Sequence, residues 1–256
     1  MHILVCVKRV PMVGGKIAVT PDGQDVDTRM SGFTVSPHEE CAVEEAVRLT
    51  GRLGGTVTVL TLGPAEAADQ LRDMLALGAG RALLLETDGR EWGPIATAEA
   101  IADAARSRAD SPDGPLDLLL FGNEAADTGD YQVAVRVAHL LGLPCVTGIK
   151  NLEIDGGGAR ARREYRGSAE VFDLPLPAVI SVKEGINLPR YPSLPGRLRA
   201  KRAAIETLRP PWSAEGLRKD GLRVPAQERT QAQVLGSGAE AVPALVRLLE
   251  ELGVLP

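Results

Sequence analysis

Apolar residues follow two alternating rhythms over the first 145 positions. Four short solid runs stand out: Ile3-Leu4-Val5-Cys6-Val7, Thr56-Val57-Thr58-Val59-Leu60-Thr61, Ala82-Leu83-Leu84-Leu85 and Leu116-Asp117-Leu118-Leu119-Leu120-Phe121. Their length and bounding turn residues predict strands buried on both faces. Helical patterns lie between them. Over residues 37–53 the apolar Ala42, Val43, Ala46, Val47 and Leu49 form one stripe, with Glu40, Glu44, Glu45 and Arg48 on a solvated face. Ser36-Pro37-His38-Glu39 reads as a capping box with proline in the first turn. A second helix starts after Gly63-Pro64, buries Leu71, Met74 and Leu75, and ends at Gly78. A third covers 95–106, and a fourth covers 128–141, closing at Gly142. Repeated strand–helix–strand units predict an α/β fold, a doubly wound parallel sheet with helices on both faces.

The rhythm changes after Pro144. Residues 151–154, a turn at 155–158 and an arginine-rich run around 162–165 predict a meander. Residues 174–182 carry Pro175 and Pro177 near their start, which predicts an edge or terminal strand. From 183 to about 233, proline, arginine and turn residues predict an extended arm with a basic helix over 197–202. A last helix over about 239–252 has its apolar face at Val242, Leu245, Val246, Leu248, Leu249 and Leu252. Such a tail buries little on one domain, so it points to a partner. The expected organisation is an α/β domain at 1–182 and a partner-directed tail at 183–256.

Composition narrows the function. The 256 residues are 44% hydrophobic, enough for a sizeable core, yet no apolar run approaches the ~18 residues of a membrane span. A net charge of −5 and only 3% aromatics argue against a nucleic-acid surface. Cys6, Cys41 and Cys145 form no C-x-x-C pair, so a reducing, cytoplasmic setting is expected rather than a disulfide framework. The N-terminal apolar run lacks a basic flank and a cleavage site, so no signal peptide is expected. The usual catalytic patterns are missing: no G-x-S-x-G, Walker A, H-E-x-x-H or G-x-G-x-x-G. His2, His38 and His139 have no metal-ligand spacing. No catalytic or metal residue is expected.

One segment does suggest a ligand: Phe121-Gly122-Asn123-Glu124-Ala125-Ala126-Asp127-Thr128-Gly129-Asp130-Tyr131-Gln132. It follows a strand and opens a helix, at the sheet edge where parallel α/β folds bind nucleotides. The bland alternative is a strand–helix loop capped by Asp127 or Thr128. These residues alone leave both readings open.

Longer strings add to this. Val7-Lys8-Arg9-Val10-Pro11, Ala42-Val43-Glu44-Glu45-Ala46-Val47-Arg48-Leu49, Val57-Thr58-Val59-Leu60-Thr61-Leu62-Gly63-Pro64 and Leu71-Arg72-Asp73-Met74-Leu75-Ala76-Leu77-Gly78-Ala79 occur in that order. Arg163-Glu164, Leu176-Pro177-Ala178-Val179 and Asn187-Leu188-Pro189-Arg190-Tyr191-Pro192 follow. Together they resemble the β subunit of electron transfer flavoprotein over essentially the whole chain.

That resemblance implies an adenine-nucleotide α-hydrolase-like, Rossmann-like fold, and an α subunit that carries the redox-active FAD. It implies an electron carrier and not an enzyme, with one alternative left open: the subunit of an electron-bifurcating complex that oxidises NADH directly and so is an enzyme component. Electrons would come from acyl-CoA or other flavin dehydrogenases and pass to a downstream quinone-reducing oxidoreductase. The β subunit would hold an unreactive AMP or, in electron-bifurcating members, the ADP part of a second FAD. By the same resemblance the nucleotide site comprises Cys6, Ser36, Pro37, His38, Glu39, Leu62, Gly63, Gly122, Asn123, Glu124, Ala125, Asp127, Thr128, Gly129, Asp130, Tyr131, Gln132, Val133 and Ala134. A recognition loop with Ile186, Asn187 and Arg190 would meet the dehydrogenase, with Ile186 as its exposed apolar anchor; the bland alternative is that Ile186 packs inward at a turn.

Departures are visible. Ser36 stands where the family usually has asparagine, Met12 where aspartate is common, and Val13 where some members have a flavin-touching tyrosine. Asp127-Thr128-Gly129-Asp130 and Gln132-Val133-Ala134 mix features of both nucleotide types, which leaves AMP and a second FAD open. A stand-alone nucleotide-binding regulator of the universal-stress type is the alternative from another class. The long tail beyond 183 argues against it.

Overall fold

All four apolar runs become strands of one sheet, and the polar-faced segments between them become its covering helices. The computed structural model describes residues 1–12, 14, 17–108, 114–214, 216, 219–225 and 234–255. Val13 and part of the expected arm lie outside the described residues. In chain order the elements begin with β1 (His2–Cys6), a small pair β2 (Val10–Pro11) and β3 (Phe33–Thr34), α1 (Pro37–Leu53), β4 (Thr56–Gly63), α2 (Ala68–Leu77) and β5 (Arg81–Glu86). Then come α3 (Pro94–Arg106), β6 (Leu118–Gly122), α4 (Val133–Leu141), β7 (Cys145–Ile149), the meander β8 (Asn151–Asp155), β9 (Gly158–Tyr165) and β10 (Ser168–Pro175), and β11 (Ala178–Val182). The chain closes with α5 (Leu194–Arg202), β12 (Glu206–Leu208) and α6 (Val242–Glu251).

The central sheet has the order β12-β5-β4-β1-β6-β11-β7. Every neighbouring pair is parallel. Successive side chains of a strand point to opposite faces. In β1, Ile3 and Val5 enter the layer under α1 and α2, while Leu4 and Cys6 enter the layer under α3 and α4. Both faces are therefore dry, which is why these strands are solidly apolar and do not alternate with polar residues. The capping box of α1 forms as its sequence predicts. Ser36 Oγ accepts from the Glu39 N–H at 3.4 Å, and the Glu39 carboxylate accepts from the Ser36 N–H at 3.3 Å.

Three expectations are corrected. β11 is not an edge strand: it lies between β6 and β7 and all five of its residues are buried. Pro177 precedes its first paired residue, Ala178, and Pro175 belongs to β10, where it pairs with Gly158, so neither interrupts the β11 ladder. α4 begins at Val133 and not near 128, because residues 125–132 fold into a tight turn of their own. There the Gly129 N–H donates to the Ala125 carbonyl at 2.8 Å, and the Gln132 N–H donates to Asp130 at 2.8 Å. The tail is not simply extended either. α5 packs on α2, where Arg72 donates to the Ala200 carbonyl at 2.8 Å, and β12 joins the sheet edge beside β5. α6, by contrast, has no buried residue.

Candidate functional site

Strand order reverses at β1. From it the chain steps to β4 and β5 on one side, then returns to place β6 on the other. The segments leaving the carboxyl ends of β1 and β6 diverge there and open a crevice. Its volume is about 400 Å³. The strand ends supply Cys6, Leu60, Leu62 and Phe121, and α3 supplies Thr97 and Ile101. Gly122 allows β6 to end close against α1. A Cβ there would lie 2.7 Å from Glu39 Cγ and 3.2 Å from His38 Cβ.

Two helix starts face this crevice. α4 has no side-chain N-cap, and Val133 and Ala134 of its first turn line the cleft. Amides of a first turn have no intrahelical acceptor and carry the positive end of the helix dipole. α3 likewise starts at Gly93-Pro94 without a side-chain cap. Lys8 lines the cleft and pairs with Asp127 at 2.8 Å.

Carboxylates temper this positive character. Burial pushes the Glu39 carboxyl up to about 7, although the N–H groups of Lys8 and Ser36 and the Lys8 charge pull it back in part. Burial first, and the Glu39 charge second, raise the Cys6 thiol far above its usual value, so it does not act as a nucleophile. Glu124 accepts from the Tyr131 hydroxyl and lies 3.7 Å from His38 Nε2. Among the described residues, the arrangement joins first-turn amides without a side-chain cap to an apolar slot, with no paired nucleophile and base.

Residues 26–212 match the family model for the electron transfer flavoprotein domain. The chain is 36% identical over 210 residues to electron transfer flavoprotein subunit beta of Bacillus subtilis, covering 81% of this chain and 79% of that protein. It is 32% identical over 257 residues to the subunit beta of Homo sapiens, covering 99% and 98%. The chain belongs to the electron transfer flavoprotein family, on its β-subunit side.

Of the residues expected in an electron transfer flavoprotein nucleotide site, the cleft gathers Cys6, Glu39, Leu62, Gly122, Asn123, Glu124, Ala125, Thr128, Asp130, Tyr131, Gln132, Val133 and Ala134. The others do not line it. Ser36 is buried as the α1 cap and Pro37 opens that helix. His38 faces Glu124, Asp127 holds Lys8, the Gly63 carbonyl accepts from the Thr87 N–H, and Gly129 closes the 125–132 turn. Lys8, Trp92, Gly93, Pro94, Thr97 and Ile101 line it without having been expected. Gly93-Pro94 at a helix start after a strand was the available signal.

These residues fit an adenine nucleotide. Leu60, Leu62, Phe121, Ile101 and Trp92 offer apolar surface for a ring, and the α4 amides with Lys8 offer donors for phosphate. In the expected recognition loop, Ile186 is half-buried and packs against the core. It does not project as an anchor does; Leu188 at 90% exposure and Tyr191 at 96% stand outward instead. Among the described residues no helix is long and apolar enough to cross a membrane.

Proposed function

We propose that this chain is the β subunit of a heterodimeric electron transfer flavoprotein and holds an adenine nucleotide in the cleft between β1 and β6. The cleft carries this reading, because it joins uncapped helix starts, Lys8 and an apolar slot at the strand-order reversal. When bound by the α subunit, FAD supplies the redox chemistry. The residues of this chain bind the AMP, shape the interface and present the contact for the donor. Phosphate lies against the first-turn amides of α4 and beside Lys8, away from Glu39 and Glu124. The ligand is structural, and filling its site stabilises the fold in proportion to saturation.

The tail packs on the α subunit through α6, whose apolar Val242, Leu245 and Leu252 are 53%, 46% and 66% exposed. The chain is a cytoplasmic carrier, reduced by acyl-CoA or other flavin dehydrogenases at the loop beyond β11 and oxidised by a quinone-reducing oxidoreductase. Purification of the chain from its native source tests the assembly. A second, flavin-bearing chain at one-to-one stoichiometry supports the reading. A monomer that is protease-resistant beyond Lys183 contradicts it.

A further inference from the structure

One turn beyond the cleft, α1 carries two adjacent carboxylates that its pattern puts on the solvated face but that the structure withdraws from solvent: Glu44 and Glu45 are each 5% exposed. Both bond to the segment after β11, and Glu45 also accepts from Arg48 of α1 itself at 3.1 Å. The Arg190 guanidinium grips Glu44 through Nε and Nη2, each at 2.8 Å, and the Arg190 N–H adds a third contact at 3.2 Å. Asn187 Nδ2 donates to Glu45 at 2.9 Å and to the Cys41 carbonyl at 3.0 Å. Leu188 and Pro189 sit between these two anchors, and Tyr191 sits just beyond. The usual order is inverted here. Polar side chains reach inward, while Leu188 and Tyr191 are almost fully exposed.

We propose that Glu44 and Glu45 are positioning residues that fix the 187–191 loop so that Leu188 and Tyr191 are presented to the redox partner. This rests on the reading of that loop as the donor contact. A buried carboxylate stripped of its cation is strongly unfavourable, so Arg190 stays on Glu44. Proline at 189 fixes one further backbone angle. A loop ordered before docking loses less conformational freedom on binding. Releasing it weakens docking without altering events after docking, so KM rises while kcat holds.

The test uses the assembled two-chain complex with E44Q, R190Q, the double variant and L188A. KM and kcat are measured with a flavin dehydrogenase that reduces the wild-type complex, beside flavin content and hydrogen exchange over 184–191. We expect KM to rise about tenfold in each single variant, the scale of a few ordered side chains. Flavin content and kcat should be unchanged, loop exchange faster, and the double variant no worse than the singles, as for two ends of one contact. If L188A leaves KM unchanged, the loop is not the donor contact and the proposal falls with that reading. If L188A raises KM but R190Q leaves KM and loop exchange at wild-type values, the positioning role alone is overturned. Additive effects of E44Q and R190Q overturn it as well. R190Q, made at the half-exposed end of the pair, decides the matter if E44Q does not assemble.

Discussion

Glu39→Gln should abolish the pH dependence that this buried carboxyl imposes. The group rises from an ordinary 4.5 to about 7, chiefly because burial removes water from the charged form. At about 1.4 kcal/mol per tenfold, that amounts to roughly 3 kcal/mol. The folded chain keeps the proton up to about pH 7, whereas the unfolded chain releases it near 4.5. Stability is therefore highest below that lower value and declines as pH rises through the window, with the full cost present above 7. Glutamine cannot ionise, so the variant loses this slope. Its single carbonyl oxygen satisfies the Ser36 and Lys8 N–H groups less well, a loss of about 1 kcal/mol. The net expectation is a gain of about 1–2 kcal/mol at pH 8 and none at pH 5. Urea unfolding of the assembled complex from pH 5 to 8, variant against wild type, reads this directly. Equal slopes in the two proteins, or a variant less stable at pH 8, would refute the reasoning.

Gly122→Ala places a methyl group 2.7 Å from Glu39 Cγ and 3.3 Å from the Glu39 backbone nitrogen, so β6 and α1 must separate. A loss of about 1–3 kcal/mol in urea unfolding, with reduced nucleotide retention, is expected for such overpacking. Lys8→Met should lower nucleotide affinity about tenfold, measured by retention on dilution, in line with a charge-assisted phosphate contact. The exposed Lys8–Asp127 pair contributes at most about 1 kcal/mol, so the same variant should unfold close to wild type. Glu44 sits below the usual carboxylate range because Arg190 outweighs its burial. Its stabilising share should thus be present near neutrality and fade as pH falls through that lowered value, a fade that E44Q abolishes in acid unfolding.

Much of the architecture was legible because strands dry on both faces leave an unmistakable run of apolar residues, as in Ile3 to Cys6. The α1 start was legible for a local reason, since Ser36, Pro37 and Glu39 encode their own cap. Errors arose where a local signal had a non-local answer. Pro175 and Pro177 looked like edge markers, but Pro175 ends β10 and the β11 pairing starts one residue after Pro177. Asp127 and Thr128 looked like a helix cap, but Asp130 and Gly129 close a turn first. β12 is three exposed residues, Glu206–Leu208, with no apolar run to reveal it. In the cleft, the β6–α4 residues announced themselves by following a strand. Trp92 and Thr97 did not, because only the crossover of α3 brings them opposite. Ile186 packs on the core, the alternative to an exposed anchor, and the sequence leaves the two open because a loop's inward and outward sides have no periodicity to read.

That this chain holds an adenine nucleotide beside a partner-borne flavin is tested most directly by denaturing the purified two-chain complex and counting the released cofactors. One FAD and one AMP per pair of chains is the expected result. Two FAD and no AMP would place a second flavin in this cleft and make the complex of the bifurcating type. One FAD and no adenine nucleotide beyond it would contradict the nucleotide site altogether.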